Sequence, residues 1–549
     1  MSTNISKQKR EDLLAKINKI RTFISSAPQD ENTGNLFSYL SELEKDVNSK
    51  KYGLVFEEHR EGIDEILETH TPVLSEEKDL FIDNGGQMNF LIEGDNLASL
   101  KLLEKTHKGK IDVIYIDPPY NTGKKDFRYD DSFVEQEDLF RHSKWLSFIY
   151  KRFSIAKNLM SKQGMIFISI DDNEFAAMKM LCDEIFGEDN RVATLVWKKR
   201  YQGAKEKHIV VCHEYLLMYC KDKSLLPSIF VPSDEEYAKK YFKQRDEYGL
   251  FRTQPLEAGK SMDDRENLRF PIVAPDGTLI LPKRQWIWSK EHVEDGLGKH
   301  IIGFSQNKKG EWNVFIKQYL NDECGNQRKT KLFSIIDGIY TQHGTKEIET
   351  IFGDGNVFKF PKPSDLICKI LDTVPFEKEI IVLDFFAGSG TTGHAVMKKN
   401  KMDNGKRTFI IGTNNENNIC RDVTYERIKR VIDREGYSAS LKYYKVDYIP
   451  ISERMYYEYA NELLEHVREL VELENGVNFV GNEKIAIVLT EDELEKFLSD
   501  KEKVSACQKI YIGHDVLPDY DQQNILDYNR IEINIIPDYY YRDLQEGRV

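Results

Sequence analysis

The sequence predicts a doubly wound, mostly parallel α/β sheet with one inserted domain and an extension at each end. Three observations lead to this fold class. Short apolar strands alternate with helical segments over residues 71–224, the alternation stops over residues 225–355, and it resumes over residues 356–437 around a glycine-rich loop. Such alternation is typical of parallel sheets covered by helices. The 549 residues are enough for about three or four domains of ordinary size.

The first half of the predicted sheet lies within residues 71–224. Its strands are predicted in NFLIEGDN, IDVIYIDPPY, GMIFISIDD and HEYLLMYCKDK, and its helices in LASLKLLEKTH, Leu139 to Met160 and EFAAMKMLCDEIF. The second strand is apolar almost without interruption up to Ile116, which is typical of a central parallel strand. Residues 1–70 precede this half and are predicted to be helical, because Leu13, Ile17, Ile20 and Ile24 recur close to a 3.6-residue period.

The second half follows the insertion, over residues 356–437. A helix is predicted in PSDLICKILDTV, then strand, loop and helix in EIIVLDFFAGSGTTGHAVMKK, a strand in RTFIIGTN and a helix in CRDVTYERIKRVIDRE. Residues 225–355 contain turn signals such as Pro275–Gly277 and are predicted to form a domain with its own task. Residues 438–549 are predicted to be a separate acidic domain for dimerisation or partner docking, with a helix over Glu453–Leu473.

The charge distribution leaves a nucleic-acid partner open despite a net charge of −14. Residues 451–549 carry 10 Lys and Arg against 22 Asp and Glu, a net charge of −12, so the remainder sums to about −2. No apolar run approaches the roughly 18–20 residues of a membrane helix, and the N-terminal segment lacks the apolar stretch of a secretory signal. The seven cysteines form no CxxC pair, so neither a zinc site nor a disulfide framework is expected. We expect a cytoplasmic protein without a metal.

The first chemical motif runs from Asp384 to Gly393 with the sequence DFFAGSGTTG. Its glycines, at a strand-to-helix turn, allow backbone amides to approach a ligand. A dinucleotide, another nucleotide-like ligand and plain strand-to-helix packing all fit GxGxxG, whereas His394 and Ala395 exclude a Walker A loop. Asp384 favours a ligand with a positive group, such as S-adenosylmethionine.

The second motif is Asp117-Pro118-Pro119-Tyr120 at the carboxyl end of a predicted strand. Open α/β sheets bind ligands at this end. The prolines stiffen the loop, so that a carboxylate and carbonyls can accept hydrogen bonds from an amino group while an aromatic ring stacks on a planar base. A flipped-out adenine needs these contacts. The alternative is a proline-stiffened turn with a packed tyrosine.

Both motifs together give a specific family resemblance. DPPY with FAGSG, and the longer strings GDNLASLKLLEKTHKGKIDVIYIDPPYNTG, FPKPSDLI and DFFAGSGTTGHAVM, resemble the β-class adenine-specific DNA methyltransferases, in which the catalytic motif comes first. They resemble in particular the Mod subunits of type III restriction–modification systems. The resemblance covers about residues 50–435 and implies the S-adenosylmethionine-dependent methyltransferase fold.

The resemblance also implies roles for individual residues. The catalytic group would be Asp117 and the Pro118 carbonyl, accepting hydrogen bonds from the target amine, with Pro119 in the stiffened loop and Tyr120 stacked on the base. Residues expected around S-adenosylmethionine are Asp384, Phe385, Phe386, Ala387, Gly388, Gly390, Thr391 and Thr392, with Phe360 and Lys362 closing the pocket and Asp95 near the adenine. A ribose-binding acid is expected after RTFIIGT, where Asn414 stands with Glu416 two residues later.

The implied partners are duplex DNA with a flipped adenine, a second copy of the chain, and a restriction subunit of the helicase–nuclease kind. Residues 225–355 would recognise the DNA sequence through the major groove. Three alternatives stay open: methylation of the cytosine amino group, a dinucleotide-dependent oxidoreductase, and a catalytically silent DNA-binding subunit. No Pro-Cys pair occurs, so the sequence offers no nucleophile for methylation at cytosine carbon 5.

Overall fold

The structure of the protein is a computed structural model. It describes residues 5–26, 33–48, 56–123, 126–129, 132–201, 208–232, 241–260, 262–321, 325, 328–376, 378–451, 465–513 and 516–536. Its α-helices span Ile5–Ser26, Thr33–Asn48, Gly62–Thr69, Asn96–His107, Arg141–Leu159, Phe175–Cys182, Lys290–Gly298, Thr341–Phe352, Ser364–Leu371, Thr391–Asp403, Glu426–Glu435, Val467–Asn475, Glu491–Ser499, Lys501–Ala506 and Tyr520–Tyr528.

The strands are numbered in chain order. They are β1 His70–Glu76, β2 Gln87–Glu93, β3 Ile111–Ile116, β4 Arg128–Tyr129, β5 Ser132–Phe133, β6 Met160–Ile170, β7 Arg191–Lys198, β8 His213–Cys220, β9 Val231–Pro232, β10 Gln244–Asp246, β11 Gly249–Pro255, β12 Ile272–Val273, β13 Leu279–Ile280, β14 Ile302–Gln306, β15 Trp312–Tyr319, β16 Lys329–Thr330, β17 Ile335–Ile336, β18 Ile381–Asp384, β19 Thr408–Thr413, β20 Ala439–Pro450, β21 Ile485–Val488, β22 Lys509–Ile512 and β23 Glu532–Ile535.

One large sheet organises the molecule, with the strand order β1-β20-β2-β19-β18-β3-β6-β8-β7-β17. The six strands from β20 to β6 are mutually parallel, whereas β1 and β8 run antiparallel to their neighbours. Two buried apolar clusters cover the two faces of this sheet. The predicted fold class, a mostly parallel doubly wound sheet, is confirmed.

The structure corrects several details of the prediction. The segment HEYLLMYCKDK contains a strand, β8, but it is antiparallel. Strand β20 pairs with β2 inside the sheet, so the sheet continues past the predicted boundary at residue 437. The helix predicted over CRDVTYERIKRVIDRE begins with a π-helical turn, Ile419–Tyr425. Of the helix predicted over Glu453–Leu473, residues 453–464 lie outside the described residues, and the described helix is Val467–Asn475.

The regions outside the sheet have cores of their own. The insertion contains an antiparallel sheet of order β10-β11-β15-β14 around Leu256, Trp286 and Ile302. The C-terminal region contains the parallel sheet β21-β22-β23 around Ile510 and Leu526. Within the described part of the chain, no helix has the length and apolar character needed to cross a membrane.

A buried ion-pair cluster joins strands β20 and β1 of the large sheet to a helix of the C-terminal region. The Lys442 side chain is fully buried on β20, with its Nζ 2.6 Å from Oε2 of Glu472 and 3.0 Å from Oε1 of Glu76. Glu472 lies on the helix Val467–Asn475, so this lysine joins the helix to two strands. Removing one partner of such a pair leaves buried charge without compensation.

We expect Lys442→Met to lower the free energy of unfolding by about 3–5 kcal/mol, because the buried carboxylates Glu76 and Glu472 would lose this ammonium and Glu472 would keep the longer, 3.4 Å pair with Arg468. Lys445→Met is the matched control on the same strand. Its ion pair with Asp447 is half exposed, so we expect a change within about 0.5 kcal/mol. Urea unfolding measures both. Equal losses in the two variants would contradict the importance of the buried pair.

Candidate active site

The two sequence motifs meet at the carboxyl ends of adjacent strands. Strands β3 and β18 pair in parallel, with Val113 opposite Val382 and Ile114 opposite Leu383. Asp117 follows β3 directly, and Asp384 is the last residue of β18. The sheet therefore places the two acids side by side at the edge where open α/β sheets bind ligands.

Hydrogen bonds with buried side chains hold the loop that starts at Asp117. The buried Trp145 indole donates a 2.7 Å hydrogen bond to the carbonyl of Pro119. Asn121 is fully buried in a left-handed conformation (φ 54°), and its amide donates to Glu174 Oε1 at 2.6 Å. Sequence analysis identified neither Trp145, Asn121 nor Glu174. These contacts fix the loop, because a left-handed asparagine persists only where its surroundings hold it.

The side chain of Lys362 lies on the catalytic motif. Its Nζ is 2.9 Å from each carboxylate oxygen of Asp117 and donates to the Tyr120 hydroxyl at 2.8 Å. The same Nζ is 3.3 Å from Oε2 of Glu214, on β8. The resemblance implied that Lys362 closes the cofactor pocket, yet the structure places its ammonium on Asp117. The Lys362 backbone carbonyl accepts a hydrogen bond from Thr391, so this residue contacts both motifs.

Glu214 completes this cluster and was not predicted. It accepts a hydrogen bond from Lys199 at 2.9 Å and one from the Tyr120 hydroxyl at 3.2 Å. Burial opposes the charged forms of Glu214 and Lys362. Their ion pairs outweigh burial, so the pKa of Glu214 is lowered and that of Lys362 is raised. Burial raises the pKa of the Tyr120 hydroxyl well above its usual range, which keeps it protonated and able to donate.

The glycine-rich loop turns in a conformation that side chains disfavour. Gly388 (φ 49°) and Gly390 (φ 74°) are left-handed, and the helix Thr391–Asp403 starts at once. A Cβ atom at Gly388 would lie 3.3 Å from Cζ of Phe358. Glycine is therefore favoured here both by backbone geometry and by close packing.

Asp384 is a buried carboxylate at the start of this loop. It accepts hydrogen bonds from the backbone amide of Phe386, at 2.9 Å, and from the Thr392 hydroxyl. Burial raises its pKa from 3.8 to about 7, because these two hydrogen bonds compensate desolvation only in part. Among the described residues, no Lys or Arg forms an ion pair with Asp384. A cationic ligand would supply the missing charge.

Other predicted loop residues mainly build the loop itself. Phe385 is buried in the core, and Phe386 packs against Phe148. The buried Ala387 donates its amide to the carbonyl of Gly412 at 3.0 Å. Phe385 thus stabilises the fold through its buried side chain, and Ala387 does so through its backbone amide.

A buried arginine joins the two predicted cofactor segments and was also missed. The fully buried Arg427 donates to Thr391 Oγ1 at 2.8 Å, to Ser389 Oγ at 3.1 Å and to Glu347 at 3.0 Å. Glu347 in turn accepts hydrogen bonds from the amide and hydroxyl of Ser364, in FPKPS. Arg427 therefore ties the glycine-rich loop to the segment that carries Lys362. The sequence gives no signal for this, because the contacts span distant elements.

Asp95 caps the helix Asn96–His107. Its carboxylate accepts a hydrogen bond from the amide of Leu97 at 2.7 Å and lies 3.7 Å from Arg152. This is an ordinary N-cap arrangement. About a third of the Asp95 side chain remains exposed. Asp95 follows β2, the neighbour of β19, so it lies at the same edge of the sheet as the two motifs.

The remaining predicted residues are exposed. Phe360 is 77% exposed in a left-handed conformation (φ 58°). Asn414 follows β19 directly, and Glu416 begins the 3₁₀ turn Glu416–Asn418. Asn415 between them accepts a hydrogen bond from the amide of Cys420 at 3.0 Å, so its side chain is used locally. Asn414 and Glu416 both remain candidates for contact with a ribose.

Comparison with known proteins identifies the family. A protein-family model described as DNA methylase matches residues 111–426, more than half of the chain. The chain belongs to the DNA methylase family. The matched range contains both motifs, so the resemblance inferred from the sequence is confirmed for this DNA methylase.

Relatives of this DNA methylase include modification subunits. It is 34% identical to the type III restriction-modification enzyme StyLTI Mod subunit of Salmonella typhimurium, over 65% of this chain and 57% of that protein. It is 32% identical to the EcoPI Mod subunit of Escherichia phage P1, over 60% and 58%. It is 33% identical to the type II methyltransferase M.KpnI of Klebsiella pneumoniae, over 59% and 79%. The match spans less than two thirds of the length of both Mod subunits.

The raised pKa of Asp384 predicts a specific pH dependence of stability. The pKa of this carboxyl group is about 7 in the folded protein and 3.8 in its ordinary, unfolded environment, so its contribution favours folding most below pH 3.8 and is lost as the pH rises through 7. We expect Asp384→Asn to gain stability relative to the parent protein by up to about 4 kcal/mol between pH 4 and pH 8. Urea unfolding of both proteins at several pH values measures the difference. A difference independent of pH would contradict the raised pKa.

Proposed function

We propose that this DNA methylase transfers a methyl group from S-adenosylmethionine to the N6 amino group of adenine in a specific duplex DNA sequence. We further propose that it is the modification subunit of a type III-like restriction–modification system. The observation that carries the proposal is the juxtaposition of Asp117-Pro118-Pro119-Tyr120 with the buried Asp384 and its glycine-rich loop, on adjacent parallel strands. One edge of the sheet thus combines acceptors for an amine with a site for a cation.

The residues at the end of β18 fit the cofactor. S-adenosylmethionine carries an ammonium and a sulfonium group, and Asp384 is a buried acid without an ion pair in the described chain. Gly388 and Gly390 give the left-handed turn from which the helix Thr391–Asp403 starts, so that the first amides of this helix can face a ligand. Phe386, Thr391 and Thr392 would support the side of the cofactor pocket that the glycine-rich loop forms. Phe360 and Asp95 would border the pocket, and Asn414 or Glu416 would contact the ribose.

The chain's own residues would perform the reaction mainly by orientation. When bound, S-adenosylmethionine supplies an electrophilic methyl group. Asp117 and the Pro118 carbonyl would accept the two N6 hydrogens and direct the nitrogen lone pair toward that methyl group, while Tyr120 supports the base. As the nitrogen bonds to the methyl carbon, the carbon–sulfur bond would break with its electrons left on sulfur. Asp117 would take the proton that the methylated nitrogen releases and pass it to water at its exposed side. No strong general base is required before the attack, because that proton leaves only after the nitrogen has become positive.

DNA would be recognised by the inserted region, residues 225–355. This region has its own core and sheet, and it exposes Arg245, Lys260, Lys283, Lys308 and Lys309. Exposed cations of this kind contact phosphates, whereas base edges supply the sequence information. The target adenine would leave the duplex to reach Asp117.

The proposed partners follow from the relatives. The names of two of them describe Mod subunits of type III restriction-modification enzymes. We therefore propose a helicase–nuclease restriction subunit as a partner, a homodimer as the active form, and action in the cytoplasm. The acidic C-terminal region is the proposed docking segment.

The test is transfer of labelled methyl groups from S-adenosylmethionine to plasmid DNA, followed by sequencing of modified bases. We expect 6-methyladenine within one recurring short sequence. 4-Methylcytosine at a recurring sequence would replace adenine by cytosine as the target. Absence of cofactor binding would refute the methyltransferase proposal.

We expect Asp117→Ala to slow methyl transfer at least about 100-fold while cofactor affinity stays within about threefold, because Asp117 positions the amine and not the cofactor. Single-turnover rates and isothermal titration with S-adenosylmethionine measure the two quantities. Asp354→Ala is the control, since this carboxylate accepts hydrogen bonds from the backbone amide and side chain of Asn356 within its own turn. Parallel loss of rate and affinity in Asp117→Ala would place Asp117 in the cofactor pocket instead.

A further inference from the structure

The ammonium of Lys362 lies where the proposed function requires the target amine. Its Nζ is 2.9 Å from both oxygens of Asp117 and 2.8 Å from the hydroxyl oxygen of Tyr120. A lysine ammonium offers three hydrogen-bond donors and no acceptor. The acceptors that an adenine amino group would need on Asp117 are therefore already engaged by donors of the protein itself, the Lys362 ammonium and the Tyr120 hydroxyl, which donates to Asp117 Oδ1 at 2.8 Å.

Asp117 is nevertheless reachable from outside. The Asp117 side chain is 29% exposed to solvent, whereas the Lys362 side chain is 10% exposed. An incoming base can approach the carboxylate from its open side while the lysine lies on the buried side. The two donors compete for the same oxygens, so the amine can bind only if Lys362 yields at least one of them.

Glu214 offers Lys362 an alternative partner without a large movement. Its Oε2 is 3.3 Å from Lys362 Nζ, and Lys199 donates a 2.9 Å hydrogen bond to Glu214. The single hydroxyl hydrogen of Tyr120 is shared between Asp117 Oδ1, at 2.8 Å, and Glu214 Oε2, at 3.2 Å. Glu214 is about as buried as Lys362. A lysine released from Asp117 into a site of this kind without a second carboxylate would be a buried unpaired charge, which is strongly unfavourable.

We propose that Glu214 is a positioning residue for methyl transfer, which takes over Lys362 from Asp117 when the target amine enters. This inference rests on the proposed function and identifies two residues that act through Asp117. After the exchange, the Lys362 ammonium still has a carboxylate partner. The Asp117 carboxylate has lost its cation and faces the nitrogen that becomes positive as its lone pair attacks.

The exchange predicts an unusual relation between single and double variants. In Glu214→Gln, Lys362 has no carboxylate to move to, so we expect the single-turnover rate to fall about 100-fold. In Glu214→Gln/Lys362→Met, no ammonium competes for Asp117, so we expect the rate to recover at least tenfold over Glu214→Gln. Residues in contact need not have additive effects, so urea unfolding of the three proteins is measured as well. A rate that recovers without a matching gain in the free energy of unfolding supports the exchange, whereas a parallel recovery of both would overturn it.

The assay uses the full chain with saturating S-adenosylmethionine and plasmid DNA, and Lys445→Met serves as the control because its side chain is exposed. Cofactor affinity, measured by titration, should stay within about threefold in all variants. A double variant no faster than Glu214→Gln, or a Glu214→Gln rate within about threefold of the parent, would overturn the exchange. Absence of methyl transfer by the parent protein would refute the proposed function instead.

A second measurement is independent of turnover and of the Glu214 variants. A duplex with 2-aminopurine next to the mapped target adenine, which keeps its N6 amino group, fluoresces more strongly when that adenine leaves the stack. We expect Lys362→Met to show higher fluorescence than the parent protein at equal occupancy of the DNA, because the competing ammonium is gone. Equal or lower fluorescence in Lys362→Met would overturn the competition between lysine and amine.

Discussion

Parallel pairing of β3 with β18 is the constraint on which the candidate site depends. Along the chain, β3 precedes the inserted region and β18 follows it. The parallel pairing of these two strands places Asp117 and Asp384 at one edge of the sheet. Parallel strands cannot be joined by a tight turn, so long connections between them are normal and can hold a whole domain. The insertion can therefore lie between the two chemical motifs without separating them in space.

Buried charge is handled in two different ways at this edge. Around β3 the acids Asp117 and Glu214 are paired with Lys362 and Lys199, and the cluster is balanced. At β18 the hydrogen-bond donors to the buried Asp384 within the described part of the chain are neutral, and burial raises the pKa of this carboxyl group. A charged cluster that can exchange partners suits a site that accepts an amine, whereas an uncompensated acid suits a site that accepts a cation.

Much of the architecture was predictable from the sequence because apolar periodicity and strand-end motifs are local signals. Strands β2, β3, β6, β18 and β19 were predicted in the right places, and the family resemblance was confirmed. The direction of β8 and the place of β20 in the sheet were not predicted, since pairing partners leave no local trace. The contact of Lys362 with Asp117 and the places of Glu214 and Arg427 were not predicted for the same reason: each contacts residues far away along the chain.

The sequence by itself determined the fold class, the family and the two motifs, because each depends on residue types at fixed short spacing. Tertiary structure alone decided which side chains share the site. It brought Lys362 onto Asp117, placed Glu214 within reach of that lysine, and used Arg427 to join the two segments around the glycine-rich loop. The physical reason is that ion pairs and buried hydrogen bonds act over a few ångströms in space, whatever the distance along the chain.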